Sequence, residues 1–246
     1  MPDSLAITRL LNNLFGPMAA AVMQRMGLHP SGTSPIGNTF SLEFLVVFGL
    51  IVFFLVVRLT LSVENPNPVQ QLAEMIHEFV GGQAEQVIGH GYERFQPFVT
   101  CVLLFILLNN LIGLLGGFPG ITTPTSQPQV PLGVAVLTFL YYNYNGIRAQ
   151  GPVGYLKQFA GPVWWMAWLL FPVEIISHLA RMMSLTIRLY ANMLASDLLT
   201  LICFSMIPVI APTAFLGLHA LVAVIQAYVF MLLSMIYLGM AVSHEH

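Results

Sequence analysis

Apolar residues in this chain come in long unbroken runs, separated by short stretches rich in Pro, Gly and polar residues. Continuous runs of that length predict helices rather than strands. Five of them predict membrane-crossing helices, over 40–63, 95–115, 130–147, 163–207 and 213–243. The first has an uncharged centre from Phe44 to Val57, with Glu43 and Arg58 near its two ends, where an Arg can snorkel to the interface. The third ends in tyrosines, as an interfacial anchor does. The fourth and fifth far exceed the ~20 residues that a perpendicular span needs. Thirty residues of helix reach ~45 Å against ~30 Å of hydrocarbon, so these two must tilt steeply or protrude. Pro208 and Pro212 break the chain between them, which predicts a tight hairpin. Trp164, Trp165 and Trp168 mark an interface at the start of the fourth.

Between the first two runs the pattern changes. In the segment 64–91, Val69, Leu72, Met75, Ile76, Phe79 and Val80 recur at helical spacing, with Gln70, Gln71, Glu74, His77 and Glu78 opposite. That predicts an interfacial amphipathic helix, the alternative being a soluble helix packed on a partner. Residues 1–39 form an N-terminal extracytoplasmic segment with a weaker amphipathic helix and a Pro/Gly/Ser loop. No basic stretch precedes a compact apolar core there, which speaks against a cleaved signal peptide. Residues 148–162 read as a loop holding Lys157. The whole of 1–246 is thus expected to be a single integral membrane domain, an all-α polytopic protein.

Composition agrees. The chain has 246 residues, 57% hydrophobic and 7% charged, where soluble domains carry about 25% charged residues. A net charge of -2 suggests no nucleic-acid partner. Cys101 and Cys203 both lie in apolar runs and offer no disulfide framework or metal spacing. His77-Glu78 begins a zinc-protease pattern, but Gly81 stands where its second His belongs. No cofactor is expected. With five crossings, Arg58, Arg94, Arg148 and Lys157 fall on one side and Arg9 and Arg25 on the other. Positive-inside then puts the N-terminus outside and the C-terminus in the cytoplasm.

Chemistry concentrates in 174–197, EIISHLARMMSLTIRLYANMLASD, inside the fourth run. A charge at the bilayer centre costs roughly 3 kcal/mol on insertion scales, so charged residues there need a partner, a wet cavity or a task. At helical spacing Glu174, His178, Arg181, Leu185, Arg188 and Asn192 fall within about 80° of one another. Asp197 faces elsewhere, roughly 140° from Glu174. The last run carries His219 and Gln226 on one face, extended by Ser234 and Tyr237. Antiparallel pairing about the Pro208–Pro212 turn would bring Asp197 near His219 and Gln226 level with Arg188. Glu174 with His178 would form a second cluster at the opposite end. Two polar paths separated by a fixed cation result. Arginine keeps its proton at any physiological pH, so it cannot relay one but can hold a carboxylate ionised. Imidazoles and carboxylates can pass protons. Glu174 lies ~21 Å along the helix from Arg188, so the carboxylate that Arg188 meets belongs to another chain. The bland readings are a snorkelling or ion-paired Arg181, a structurally hydrogen-bonded His178 and a Gln226 that only joins helices.

The run Arg188-Leu-Tyr-Ala-Asn192-Met-Leu-Ala-Ser-Asp197 resembles the signature helix of the a subunits of F-type ATP synthases, commonly R-L-F-G-N-M-x-A-G-E/D. Glu174 matches that family's upstream acidic position, and His219, Gln226 and Tyr237 match its final helix. Tyr190-Ala191 in place of Phe-Gly, Met182-Met183 in place of a Pro-hydrophobic pair, and Gln127 and Gln129 in place of Asp or Asn are departures, the last two at the outer vestibule. The resemblance implies a proton-translocating stator in a bacterial inner membrane, not catalytic by itself. It implies partners: a ring of c subunits whose carboxylate faces Arg188, peripheral-stalk b-type subunits, the remaining synthase subunits and membrane lipid. Arg188 would separate two half-channels. Asp197, His219, Asn192 and Gln226 would serve the outer path and the centre; Glu174 and His178, helped by Arg181, would serve the inner path. The identity of the ion stays open, because its binding carboxylate lies on the ring. A proton-coupled secondary transporter is the alternative, but it would show internal repeats and midplane breaks in corresponding helices; no repeat is seen, and the breaks cluster at the 208–212 turn. A voltage sensor would need Arg at every third position, and a stand-alone enzyme a nucleophile–base or metal pattern.

Overall fold

The computed structural model describes residues 5–25, 36–62, 66–115, 123–160, 167–206 and 210–242. Seven α-helices account for most of them: α1 (Ala6–Arg25), α2 (Asn38–Leu59), α3 (Pro68–Ile88), α4 (Gln96–Ile112), α5 (Gln129–Ala160), α6 (Ala167–Met206) and α7 (Ile210–Val242). Among the described residues there is no strand. Trp164 and Trp165, Pro208 in the expected turn, and the loop residues 26–35 and 116–122 lie outside the described residues.

Local chemistry sets the ends of these helices. Asn12 grips the backbone of Ile36 from both sides, accepting its N–H at 3.1 Å and donating to its C=O at 3.0 Å, and so ties α1 to the start of α2. Helix α2 closes with the Thr60 hydroxyl on the Val56 carbonyl at 2.8 Å. Helix α3 opens on Pro68, whose fixed φ suits a first helical position, and stops at Gly89, whose φ of 78° is left-handed.

Three expectations about these elements change. Residues 148–160 are not a loop: α5 runs on through Arg148 and Gln150 and resumes beyond Gly151, whose φ of 77° breaks it into two helices; 161 and 162 lie outside the described residues. Arg, Ala and Gln are good helix formers, and Gly151-Pro152 is a stop followed by a proline suited to a new first turn. Pro212 sits within the first turn of α7, where a missing N–H costs nothing, instead of in the connection. Tyr142 is no interfacial anchor but a core residue, whereas Tyr144, 62% exposed, fits that description. Among the described residues, three helices are long and apolar enough to cross a membrane: Asn38–Leu59, Trp168–Cys203 and Thr213–Val242. Helix α4 is apolar but shorter.

The core is organised around α7. Its buried row Ala227, Phe230, Met231, Met235 and Leu238 meets Val80 and Ala84 of α3, Val99 and Ile106 of α4, and Leu189 and Met193 of α6. Small residues bring the backbones close, which matters where helices have no hydrophobic drive to associate. A Cβ on Gly239 would sit 3.2 Å from the Val87 carbonyl of α3. One on Gly81 would sit 2.9 Å from the Gln96 amide, itself bonded to the His77 carbonyl. Helix α3 is therefore two-natured. Val69, Leu72, Met75 and Phe79 are exposed, whereas Val80, Gly81 and Ala84 are buried against α4 and α7. Gln70, expected on the polar face, is buried and bonds both the N–H and the C=O of Ser62 at 3.0 Å. By contrast α2 buries only Ser41, Leu42 and Val46 and leaves most of its apolar surface outward.

Candidate functional site

The residues singled out on α6 and α7 divide into two clusters and one open group. In the first cluster, the Thr123 hydroxyl donates to Asp197 Oδ1 at 2.7 Å, and His219 Nδ1 lies 3.8 Å from the same oxygen. His219 is almost completely enclosed, and its Nε2 has no hydrogen-bond partner among the described residues. Gly113 makes the space: a Cβ there would fall on the Thr123 hydroxyl and 2.8 Å from His219 Nε2. A carboxylate, an imidazole and a hydroxyl thus converge from three elements, a set able to pass a proton between oxygen and nitrogen.

Next to it, buried Asn110 accepts from the Thr125 hydroxyl at 2.6 Å and donates to the Ala223 carbonyl at 3.3 Å. It therefore joins α4, the turn at Pro124–Ser126 and α7. Asn109 is also buried, donates back to the Phe105 carbonyl and keeps Oδ1 without a partner among the described residues.

At the far end of α6, Glu174 Oε1 lies 3.4 Å from His178 Nε2 and 3.9 Å from Arg181 Nη2. The Tyr142 hydroxyl is hydrogen-bonded to the other imidazole nitrogen, Nδ1, at 2.9 Å. A carboxylate at Nε2 favours a proton there, which leaves Nδ1 to accept from Tyr142. Arg181 stands 5.7 Å over the ring of Tyr237, whose centroid is 6.0 Å from that of Tyr142. Arg181 is thus an ion-paired and ring-stacked neighbour of Glu174, and Tyr237 packs into the same cluster.

Arg188 lies between the clusters. Leu185, Leu189 and Met193 turn inward to the core, while Arg188 and Asn192 are exposed on the open side of α6. Among the described residues Arg188 makes no ion pair and no hydrogen bond. Gln226, partly buried on α7, makes no hydrogen bond among them either. Gln127 is partly buried and Gln129 exposed, at the start of α5. Among the described residues no three His, Cys, Asp or Glu side chains converge as a metal site needs.

The family model described as ATP synthase A chain matches residues 10–239. The chain belongs to this family. It is similar to the ATP synthase subunit a of Koribacter versatilis, 46% identical over 100% of both chains. The ATP synthase subunit a of Solibacter usitatus is 41% identical, over 90% of this chain and 93% of that one. That of Bdellovibrio bacteriovorus is 41% identical over 70% and 74%. As an ATP synthase A chain, it is an ion-translocating component of the membrane sector, not catalytic by itself, and works with the other synthase subunits in a bacterial inner membrane.

Sequence reasoning overlooked Thr123 and Tyr142. Thr123 carries no signal in its Thr/Pro-rich loop, and Tyr142 stands in a Tyr-Tyr-Asn-Tyr-Asn stretch from which nothing picks it out. Each acquires its place only through a contact with a distant residue of α6.

Proposed function

We propose that this ATP synthase A chain carries protons past its Arg188 to and from a rotating ring of c subunits, through two half-channels. The observation that carries the reading is the open guanidinium: Arg188 is exposed, with no counter-charge among the described residues, on a helix apolar enough to cross a membrane. An unneutralised charge at that depth is costly, so a partner carboxylate is the economical completion. The ring carboxylate meets Arg188, is held ionised and yields its proton. Because arginine never deprotonates, it also blocks direct leakage between the paths.

The paths follow from the clusters. Asp197, His219 and Thr123 serve the outer path, with Asn192 and Gln226 towards the centre. Glu174, His178 and Tyr142 serve the inner path, with Arg181 and Tyr237 holding Glu174 and His178 in place. Asp197 stands ~13 Å and His178 ~15 Å along the helix from Arg188, on opposite sides of it. The pairing of Asp197 with His219 at one end and of Arg181 with Tyr237 at the other supports an antiparallel hairpin of α6 and α7. At ~60 Å, α6 is about twice the hydrocarbon thickness, which supports a strong tilt across the ring. Five crossings, with α4 and the first part of α5 as the shorter two, put the N-terminus outside and the C-terminus in the cytoplasm. The outward apolar surface of α2 is available to lipid and to peripheral-stalk b-type subunits.

Arg188→Ala in the intact, vesicle-reconstituted complex tests this. ATP-driven acidification of the vesicles should disappear while the soluble head still hydrolyses ATP. Coupled pumping that survives the substitution rejects the reading.

A further inference from the structure

Away from both clusters, an apolar cleft of about 630 Å³ opens between α2, α4 and α5. One face of α2, from Val47 through Phe54 to Arg58, forms a wall; Phe98 and Phe105 of α4 and Leu137 of α5 face it. Among the described residues of the lining, Arg58 alone carries a charge. It is exposed, and among the described residues it makes no ion pair. Its position, next to the last residue of α2, puts a cation at one end of an otherwise hydrocarbon slot.

The dimensions select the occupant. From Val47 to Arg58 the slot runs ~16 Å along α2, about half of the ~30 Å hydrocarbon core. A membrane helix of a partner subunit would need the full thickness and a wall of small residues for close packing. The facing side chains here are largely Phe, Leu, Ile and Val. One leaflet's depth, a methylene-compatible lining and a guanidinium at the interface match a single lipid. A guanidinium is suited to a phosphate, which it binds through a fork of N–H donors. We propose that this cleft is a binding site for an anionic phospholipid, one acyl chain lying between α2, α4 and α5 and the phosphate held by Arg58. The inference stands on the cleft and does not depend on the role of Arg188.

The test uses the intact complex in phosphatidylcholine vesicles containing a minor fraction of phosphatidylglycerol. A photoactivatable acyl chain is placed on one lipid or the other, and the labelled peptides are mapped by mass spectrometry. Phosphatidylglycerol should label the 47–58 and 98–105 stretches about fivefold more than phosphatidylcholine at equal abundance, the factor that one basic side chain contributes near an anionic headgroup. Arg58→Gln should abolish that preference, and Arg58→Lys should retain most of it. Gly133→Trp should lower labelling by both lipids, since an added Cβ there meets nothing within 4 Å and the indole would fill the slot. Equal labelling of the unmodified protein by the two lipids would reduce the site to ordinary annular contact and overturn the proposal. So would cross-links from a photoactivatable residue at position 137 to another subunit in place of lipid. The comparison of the two lipids on the unmodified protein needs no variant to fold.

Discussion

Gly113→Ala sets two effects of opposite sign against each other. Gly113 caps α4 with φ -58° and ψ -25°, ordinary helical values that alanine adopts without strain. By chain entropy alone the substitution would stabilise the protein by about 0.5–1 kcal/mol. The surroundings reverse the sign. The new Cβ would fall on the Thr123 hydroxyl and 3.0 Å from His219 Cε1, and both residues are 1% exposed with little room to retreat. Overpacking of that kind costs about 1–3 kcal/mol. Moving Thr123 also breaks its 2.7 Å bond to Asp197, and a hydrogen bond to a charged group is worth about 1.5–3 kcal/mol. The costs exceed the gain, for a net loss of about 2–4 kcal/mol. For a chain of this length that lowers the midpoint of thermal unfolding by roughly 5–10 °C, measured on the purified chain in detergent. Thr123→Ala should also destabilise, through the lost bond. The double variant should lose at least about 1 kcal/mol less than the sum of the two, because the collision partner is gone. A Gly113→Ala protein that melts higher than the parent, or a strictly additive pair, would refute the packing of Gly113 against Thr123 and His219.

Three further outcomes are expected. Tyr142→Phe keeps the ring contacts with Tyr237 and Phe139 but removes the bond to His178 Nδ1. It should cost about 1 kcal/mol in the same melting assay and slow ATP-driven proton pumping severalfold, so an unchanged pumping rate would take Tyr142 out of the inner path. Asp197→Leu strips Thr123 and His219 of their shared partner. Pumping should slow while the complex still assembles on native gels, and parental rates would remove Asp197 from the outer path. Gly239→Leu forces a side chain against the Val87 carbonyl and should prise α3 from α7, breaking the 3.1 Å Tyr228–Gln83 bond. A loss of about 1–3 kcal/mol is expected, and faster hydrogen exchange in Pro68–Ile88 should accompany it; unaltered exchange would contradict that close approach.

What the chain's pattern determines alone is what local physics can read. Continuous apolar runs demand intramembrane hydrogen bonding and hence helices, and the observed ends of α4, α6 and α7 fall within a few residues of the expected 95–115, 163–207 and 213–243. Helical periodicity put Glu174, His178 and Arg181 on one stripe, and they meet there. The approach of Asp197 to His219 was legible too, because both flank a proline-marked break in otherwise continuous apolar sequence. Residue type also set the expectation of a partner carboxylate for Arg188, since a guanidinium keeps its charge wherever it lies.

Only the tertiary structure decided which faces meet. A stripe on one helix carries no information about its rotation relative to its neighbours. Packing alone turned Leu185, Leu189 and Met193 to the core and left Arg188 open. Thr123 and Tyr142 join the clusters through contacts with Asp197 and His178, 74 and 36 residues away. Contacts that distant leave no periodic trace. The glycines behave alike: Gly81, Gly113 and Gly239 resemble any membrane-helix glycine until a neighbour approaches within a methyl's reach. The Arg58 cleft is the same case, since three separately unremarkable apolar faces enclose it only once their helices are packed together.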